Sequence, residues 1–399
     1  MKVGIGYSES PDTATAGAQA VANARKQANR DDACDFVLLF STSRHDAGAL
    51  RNAVSTAIGS GIPVIGGWAV GAITNDRFGY AGDQVILAVF WLEGMAYDAF
   101  VEEGLVDNEA DVGRRLGQKL ARAGVEKDTP VVLFYDFVDR SNGEFKTTHA
   151  TPILEGITQE LGFLPCLVGA SLVGDYVNSP GWQWTGDDVA QHSAIAIVFD
   201  KRVRIDSVIM HGCRPGSGYY KVTKADRQTI LEINGEPALP FINNFLNDAI
   251  PPDEYGFFLI FGVNKGEKWT PFDETNYASR LCLGVDVERN GIIMLDSDMV
   301  EGTEFQLMYR TPDLDYMPSS VEKLWPEGRK PVFAFYINCA GRAAAYAGLD
   351  LEDAFVVQEI VADRVPLMGI YAGGEIAPVN GVPTSLSRTG VLCLFSVPQ

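Results

Sequence analysis

The sequence predicts a mixed α/β protein of two domains, built from repeated α/β/β units whose mixed β-sheets are flanked by helices. Its 399 residues exceed the length of one average domain, and 46% of them are hydrophobic, as in an ordinary folded chain. Strand-length apolar runs alternate with segments of helical periodicity. A segment with one proline and two glycines also recurs three times, which is typical of an internal duplication.

Three buried strands are predicted from short runs rich in Val, Ile and Phe, at 36–41, 131–135 and 333–338. A helix follows each strand. After the first strand, for example, apolar residues at positions 50, 53, 54 and 57 lie on one helical face, which ends at two glycines. A second apolar strand closes each unit, at 84–91, 193–199 and 390–397.

The recurring proline and glycine segments span 63–71, 165–174 and 366–374, and in each the two glycines lie five residues apart. Aligning the glycines places Glu375 of the third segment where the others carry Ala72 and Asp175. Because α/β proteins often put proline before a strand and glycine after it, a coincidence of composition is the alternative explanation. A true repeat requires the three segments to occupy equivalent places in three units.

The region from about 201 to 330 is predicted to be rich in hairpins. Asn234-Gly235 and Asn290-Gly291 each lie between apolar runs, and Asn-Gly is the strongest short signal for a tight hairpin. No flexible linker separates this region from the first half, so the domain boundary is expected in the irregular stretch that follows residue 200. We therefore divide the chain into domains 1–205 and 206–399.

The charge balance argues against nucleic acid and anionic membranes as partners. Lys and Arg number 32 against 52 Asp and Glu, a net charge of −20 that repels phosphate groups. No apolar leader follows Met1, and the apolar runs are far shorter than the roughly 18 to 20 residues of a membrane span. The six cysteines form no CxxC pair, which suits a reducing compartment, so a cytoplasmic location is expected.

Sequence motifs for cofactors, metals and common catalytic centres are missing. The four histidines are too scattered for a paired metal site, and the chain has no P-loop, GxGxxG or G-x-S-x-G element. We therefore expect no cofactor, no metal and no catalytic residue. An enzyme is the less favoured interpretation.

The first candidate binding segment is the end of the third predicted strand, with Asn338, Cys339, Gly341 and Arg342. Ligands of α/β sheets bind at the carboxyl ends of strands, where small residues expose backbone N–H groups. The alternative is a strand end packed against a helix, with Arg342 at the surface. Cys339 would need a neighbouring base to act as a nucleophile, and a buried inert thiol is the favoured interpretation.

The second candidate segment follows the third glycine repeat, with Tyr371, Gly373, Gly374 and Glu375. Two glycines let a ligand approach the backbone closely. We expect both segments to converge on one pocket in which Arg342 binds a carboxylate and Glu375 binds an ammonium group. The alternative is a glycine-rich turn with Glu375 in solvent.

Several of these segments resemble the FIST family, named for F-box and intracellular signal transduction proteins, which has paired N-terminal and C-terminal domains. Residues 35–41 (DFVLLFS) and 65–71 (IGGWAVG) are similar to the N-terminal domain, and 212–215 (GCRP) begins the joining stretch. Residues 339–342 (CAGR) and 369–378 (GIYAGGEIAP) resemble the end of the C-terminal domain.

The resemblance implies a sensory protein of intracellular signal transduction that binds a small ligand, with amino acids or related small metabolites as the proposed class. The family usually has an acidic residue where this chain has Ala72, which leaves a site in the first half in doubt. The two sensory halves account for the whole sequence, so signal output is expected to come through a protein partner. The alternatives are an enzyme that acts on a small polar metabolite through Cys339 or Glu375, and an interaction scaffold.

Overall fold

The computed structural model confirms the mixed α/β class, and its helices and strands form three similar units with a large insert in the third. It describes residues 1–399 except 107, 141, 142, 144 and 312, and it describes the backbone alone at 257.

The first unit has two long helices between its strands. The helices begin where an aspartate accepts a backbone N–H: Asp12 from Thr15 at 2.8 Å and Asp46 from Ala49 at 2.7 Å. The elements are β1 (Lys2–Ser8), α1 (Thr13–Ala28), β2 (Phe36–Ser41), α2 (Ala47–Ile58), β3 (Val64–Trp68), β4 (Gly71–Thr74), β5 (Phe78–Tyr80) and β6 (Val85–Trp91).

The second unit repeats this order. Its first helix begins where Asn108 accepts the N–H of Asp111 at 3.1 Å, and its second ends at Gly162, which adopts the left-handed conformation. The elements are β7 (Tyr97–Glu103), α3 (Glu109–Arg122), β8 (Pro130–Asp136), β9 (Val138–Asp139), β10 (Lys146–Thr147), α4 (Ala150–Leu161), β11 (Cys166–Leu172), β12 (Gln183–Gly186), β13 (Val189–Ala190) and β14 (Ser193–Phe199).

The third unit begins with β15 (Arg204–Met210), and the insert follows this strand. The insert consists of β16 (Cys213–Pro215), β17 (Tyr220–Asp226), β18 (Thr229–Ile233), β19 (Glu236–Pro237), α5 (Ala238–Leu246), α6 (Tyr255–Phe258), β20 (Ile260–Asn264), β21 (Tyr277–Asp286), β22 (Gly291–Met294) and β23 (Glu304–Arg310). The unit then resumes with α7 (Met317–Glu322), β24 (Arg329–Cys339), α8 (Ala344–Ala347), α9 (Asp353–Val361), β25 (Leu367–Ala372), β26 (Gly374–Val379), β27 (Val382–Leu386) and β28 (Gly390–Pro398).

Each unit has the same strand order. The closing strand lies between the first and second strands and is antiparallel to both, and the second and third strands are parallel. The sheet order is therefore β1-β6-β2-β3 in the first unit, β7-β14-β8-β11 in the second and β15-β28-β24-β25 in the third.

The strand that follows the glycine segment leaves its own unit and extends the sheet of another. Strand β4 pairs with β25 of the third unit, β12 pairs with β3 of the first, and β26 pairs with β11 of the second. Each exchanged strand also carries a partner strand, β5, β13 or β27, into the receiving sheet. The exchange is cyclic, so each unit donates one strand pair and receives one. The three units are thereby connected through backbone hydrogen bonds as well as through side-chain packing.

The register of the parallel pairs confirms the predicted repeat. Gly66 lies opposite Leu39, Gly169 opposite Leu133 and Gly369 opposite Tyr336 in the three units. A Cβ atom at Gly169 would come within 1.9 Å of the carbonyl oxygen of Leu133, and one at Gly66 within 2.0 Å of that of Leu39. Glycine is needed at this position because the neighbouring strand leaves no room for a side chain.

The core lies where the inner faces of the three sheets meet. Side chains alternate along β2: Leu38 and Phe40 face the central core, whereas Leu39 packs under the helices of its own unit. The rings of Phe40, Phe134 and Phe335, one from each unit, contact one another with centroids 5.3 to 6.0 Å apart. The helices cover the outer faces of the sheets.

The insert is a sheet of eight strands in the order β16-β23-β17-β18-β22-β21-β20, with β19 paired to β18. Six of these strands, from β23 to β20, form a closed ring because β20 also pairs with β23. The two Asn-Gly hairpins predicted in this region are present, between β18 and β19 and between β21 and β22. In the first hairpin Asn234 and Gly235 have φ angles of 51° and 85°, the left-handed values that a tight Asn-Gly turn requires. In the second, the loop spans 287–290 and ends at Asn290, with a φ angle of 53°, and Gly291 is the first residue of β22.

Replacement of Gly169 by alanine should destabilise the fold, because the new Cβ meets backbone that cannot move without breaking the β8–β11 pairing. We expect Gly169→Ala to lower the free energy of unfolding by at least about 2 kcal/mol in urea unfolding experiments. Gly218→Ala is the matched control, since a Cβ at Gly218 has no described atom within 4 Å. It should change stability by less than about 0.5 kcal/mol. Equal losses in both variants would contradict the close approach of these strands.

Candidate functional site

A buried arginine lies at the boundary between the third unit and the insert. Strand β24 ends at Cys339, and a short 3-10 turn brings Arg342 into the interior, where it is only 1% exposed. Its Nη2 forms an ion pair with the carboxylate of Asp353. Its Nη1 donates to the carbonyl oxygens of His211, at 2.9 Å, and Arg388, at 3.2 Å. The guanidinium therefore connects four separate segments of the chain.

Asp353 is the first residue of α9 and is 1% exposed. The positive end of the helix dipole favours a carboxylate at this position. Burial alone lowers the pKa of a guanidinium, but the carboxylate of Asp353 offsets this effect and holds the pKa of Arg342 well above its ordinary value. The guanidinium of Arg342 is consequently charged in the folded protein.

A second guanidinium shares the same carboxylate. Arg310, the last residue of β23, places Nη2 at 3.4 and 3.5 Å from the two oxygens of Asp353. Burial and the nearby charge of Arg342 lower the pKa of Arg310. Two cations and one carboxylate leave a positive excess at this point, so an anion placed beside Arg310 would be stabilised.

Arg310 lies on the wall of a cavity of about 950 Å³ between the insert and the segment that contains α8. We call it the Arg310 cavity. Apolar side chains from the insert form much of its wall, and Arg388 also lines it. Its lining comprises Gly216, Phe245, Leu246, Ile250, Glu254, Phe258, Leu259, Ile260, Leu307, Met308, Tyr309, Arg310, Thr311, Tyr346, Ala347, Gly348, Leu349 and Arg388.

A second cavity, of about 680 Å³, is lined by polar groups that include Glu274 and Tyr316. Burial raises the pKa of Glu274 and raises that of Tyr316 to about 12, so the interior side of this cavity carries little charge. Its cations, Arg214 and Lys323, are exposed to solvent. The Arg310 cavity is therefore the better site for an anionic ligand, because it offers a shielded cation beside an apolar wall.

The structure brings the two predicted binding segments together. Asn338 lies opposite Tyr371 in the parallel pair of β24 and β25, and Cys339 lies opposite Ala372. The Nε of Arg342 contacts the side-chain oxygen of Asn338 at 3.3 Å. The described lining of the Arg310 cavity does not include the predicted residues, and Gly373 and Gly374 line a separate cavity of only about 10 Å³. Their role in ligand binding stays a prediction.

Arg342 and Glu375 have different partners in the structure. The direct partner of Arg342 is Asp353, whereas Glu375 accepts the backbone N–H of Thr389 at 3.1 Å. Burial raises the pKa of Glu375 well above its ordinary value, which favours the neutral acid. The binding of a ligand carboxylate by Arg342 and of an ammonium group by Glu375 stays a prediction.

Cys339 is buried beside Glu375. Burial, followed by the neighbouring carboxyl of Glu375, raises the pKa of the Cys339 thiol to about 12. A thiol with this pKa is almost entirely protonated at neutral pH and is therefore a weak nucleophile. This environment fits the interpretation of Cys339 as an inert buried thiol.

The three predicted glycines occupy different environments. A Cβ at Gly373 would meet the ring of Phe137 at 2.7 Å and the hydroxyl of Ser171 at 2.9 Å, so packing against the second unit explains this glycine. Gly374 pairs with Ser171 at the start of the exchanged strand. Gly341 is half-buried, and a Cβ there would lie 3.9 Å from the sulfur of Cys339, an ordinary van der Waals contact.

The register also corrects the equivalence assigned to Glu375. Each exchanged strand pairs with the glycine-segment strand of a neighbouring unit, and Glu375, Ala72 and Gln183 each lie one position before the residue opposite the first glycine of that strand. Glu375 therefore corresponds to Ala72 and Gln183, not to Asp175. The second unit has extra residues between its glycine segment and the exchanged strand, which displace Asp175. Gln183 is fully buried and accepts the backbone N–H of Ser193, the first residue of the closing strand β14, at 3.1 Å. Glu375 likewise accepts the N–H of Thr389, the residue just before the closing strand β28.

Reasoning from sequence missed Asp353, Arg310 and His211. Asp353 lies in a predicted helical region, where an acidic residue in the first turn is expected for helix stability alone. Arg310 lies in the insert, 32 positions before Arg342, and no local pattern links the two. An acidic residue at the start of the predicted helix was the one available signal for the partner of Arg342.

Comparison with protein families identifies the chain. The FIST N domain matches residues 35–236, and the FIST C domain matches residues 238–378. The chain belongs to the FIST family. Arg310, Arg342, Asp353 and Glu375 lie within the FIST C match, and Arg388 lies beyond it.

Curated relatives of this FIST protein cover its whole length. The uncharacterized proteins Rv0628c and MT0656 of Mycobacterium tuberculosis are each 25% identical over 402 residues, spanning 99% of this chain and all of theirs. The uncharacterized protein Mb0898c of Mycobacterium bovis is 25% identical over 406 residues, with 99% of each chain covered.

Among solved structures, cyanuric acid hydrolase from A. caulinodans aligns with 50% of this chain and 71% of its own, at 14% identity and a TM-score of 0.26. This likeness is too low to support an inference about fold or activity. FIST domains are associated with sensing in signal transduction.

Two further observations on the FIST protein concern metals and membranes. Among the residues that the structure describes, no group of three or more His, Cys, Asp or Glu side chains is placed to hold a metal ion. In the same residues, no helix has both the length and the apolar character required to cross a membrane.

Asp353 and Glu375 should respond differently when the carboxyl group is replaced by an amide. Asp353→Asn leaves Arg342 buried without a counter-charge and should lower the free energy of unfolding by about 3 kcal/mol or more. Glu375→Gln replaces a carboxyl group that is neutral in the folded protein by a neutral amide. The second unit already has a glutamine, Gln183, at the equivalent position. The substitution should leave stability unchanged or raise it at pH 8.

The effect of Glu375→Gln on the free energy of unfolding should depend on pH. Because the pKa of Glu375 is raised in the folded protein, the native state binds a proton that the unfolded chain releases above about pH 4.3. Stability should therefore fall as pH rises, and Glu375→Gln should gain relative to the natural protein between pH 5 and pH 8 in urea unfolding. Equal losses in both variants at pH 8 would contradict the assigned charge states.

Proposed function

We propose that this FIST protein is a sensor that binds a small anionic metabolite in the Arg310 cavity and signals through a protein partner. The observation that supports it most strongly is the arginine on the cavity wall, which shares its carboxylate with the buried Arg342. Amino acids and related metabolites belong to this ligand class, because each has a carboxylate.

The cavity has the size and lining of a small-molecule site. Its volume of about 950 Å³ is at the upper end of the range typical of ligand pockets. A charge-assisted hydrogen bond from a shielded guanidinium to a carboxylate contributes roughly 1.5 to 3 kcal/mol. A single ligand carboxylate at Arg310 would thus account for at least a tenfold gain in affinity.

One predicted residue, Arg342, is connected to this site through the ion pair. Arg342 fixes the position of Asp353, and Asp353 in turn holds Arg310. In this proposal Arg342 is a positioning residue. Asn338 contacts it directly, whereas the described lining of the Arg310 cavity does not include Asn338, Cys339, Gly341, Tyr371, Gly373, Gly374 or Glu375.

Contacts connect the cavity to the other two units. Tyr346, on the cavity lining, stacks on Tyr176 of the second unit with ring centroids 5.0 Å apart. The backbone N–H of Ala345 donates to the hydroxyl of Tyr80 of the first unit at 3.2 Å. A ligand that moves this segment would therefore alter surfaces of both units, which is what a partner would recognise.

An enzyme that uses Cys339 or Glu375 is the alternative, and the environment of these two groups does not favour it. Both are buried, and the thiol is protonated at neutral pH. A cytoplasmic location is part of the proposal, because all six cysteines are free.

Native mass spectrometry of the full chain purified from cells tests the proposal. We expect a bound small acid that is released on denaturation. If the protein carries no such adduct, and if carboxylates and other small anions leave its unfolding temperature unchanged in a metabolite screen, the proposed sensor is wrong. Steady turnover of a metabolite that is abolished by Cys339→Ser would favour the enzyme.

Removal of the cavity cation should weaken binding of any anionic ligand found in that screen. We expect Arg310→Gln to raise its dissociation constant at least about tenfold in calorimetry, since 1.4 kcal/mol corresponds to that factor. Arg364→Gln is the matched control, because Arg364 is a surface arginine paired with Glu322 at 2.7 Å. Equal effects of the two substitutions would mean that overall charge, and not the cavity, determines affinity.

A further inference from the structure

We infer that the ligand of the Arg310 cavity is an aliphatic monocarboxylate of medium chain length, and not a free α-amino acid. The inference rests on the proposed function and narrows its ligand class. Two features of the cavity support it: the length of its apolar wall and the distribution of charge around Arg310.

The apolar wall extends from Arg310 across the insert. It consists of residues from the end of α5, from the segment that leads into β20 and from β23: Phe245, Leu246, Ile250, Leu259, Ile260 and Leu307. The side chains of these six residues carry no polar group that could satisfy a second polar end of a ligand. A hydrocarbon body in contact with it would gain about 0.8 kcal/mol per buried methylene.

Large apolar rings are exposed at the rim of the same cavity. Phe245, Phe258, Tyr309 and Tyr346 are 40%, 56%, 51% and 48% exposed, although rings of this size are usually buried. A hydrocarbon chain that runs from Arg310 toward the rim would cover part of these surfaces. The positive charge at one end and the apolar surface at the other match an amphipathic anion.

The charge distribution disfavours an α-ammonium group. In an α-amino acid the ammonium is attached to the carbon next to the carboxylate, so it would lie close to Arg310 whenever the carboxylate is bound there. The neighbouring charges are those of Arg342 and Arg388, and Asp353 is already shared by Arg310 and Arg342. On the described lining the acidic side chain is Glu254, which is exposed to solvent. Like charges at this distance repel the ammonium.

Isothermal titration calorimetry of the full chain with matched ligands tests the inference. Butanoate, hexanoate and octanoate vary the chain length, and 2-aminooctanoate, octylamine and octanol vary the head group. We expect affinity to rise about fourfold per methylene, which corresponds to ~0.8 kcal/mol. Octanoate should bind at least about tenfold more tightly than 2-aminooctanoate, octylamine or octanol.

Two variants localise the binding. Arg310→Gln should weaken octanoate at least about tenfold and leave the gain per methylene unchanged, because it removes the anchor and keeps the wall. Ala347→Phe, which fills the cavity without contact to the ion pair, should reduce the gain per methylene. Circular dichroism checks that both variants are folded, and Arg364→Gln should bind octanoate like the natural protein.

The outcomes separate this inference from the proposed function. If 2-aminooctanoate binds as tightly as octanoate, or if affinity is independent of chain length, the ligand class is wrong and the anion sensor remains. If succinate or phosphate binds through Arg310 and octanoate does not, the inferred ligand class is again wrong and the anion sensor remains. If no anion binds, both the class and the proposed sensor are wrong.

Discussion

The buried pair of Arg342 and Asp353 is the interaction on which the third unit and its insert depend. Removal of two charges from water costs several kcal/mol per ion, and the cost is offset only when the remaining hydrogen-bonding groups are also satisfied. Here the guanidinium donates to Asp353 and to the backbone carbonyls of His211 and Arg388. Those carbonyls lie just before β16 and β28, so one side chain fixes the insert, the closing strand and α9 together. The same carboxylate then holds Arg310 at the cavity wall.

The insert explains why the cavity belongs to the third unit alone. Each unit contributes the same four-stranded order and receives one strand pair from another unit, so the three sheets form a common scaffold. The register places Thr42 and Asp136 of the first two units where the third has Cys339. Only the third unit has the insert, and the insert supplies Arg310 and the apolar wall. The repeat therefore provides the framework, and the insertion provides the cavity.

Local features of the fold could be predicted from the sequence, whereas long-range charge pairing could not. The buried strands and the glycines at 66, 169 and 369 follow from apolar runs and from the requirement for close strand approach, which are both short-range signals. The position of Arg342 at a strand end was also predicted. Its pairing with Asp353 was not, because Asp353 is an ordinary helix-starting residue in sequence and no local pattern links it to Arg342. The equivalence of Glu375 with Gln183 was missed because the extra residues of the second unit shift the exchanged strand.

A crystal structure of the full chain grown with octanoate tests most directly whether Arg310 anchors a carboxylate in this cavity. The predicted result is a carboxylate oxygen within about 3 Å of a guanidinium nitrogen of Arg310, with the hydrocarbon chain along Leu307 and Ile260. Arg342 and Asp353 should stay paired in that structure. Octanoate bound elsewhere, or bound in the cavity with its carboxylate in solvent and away from Arg310, would contradict the proposed role of the buried pair.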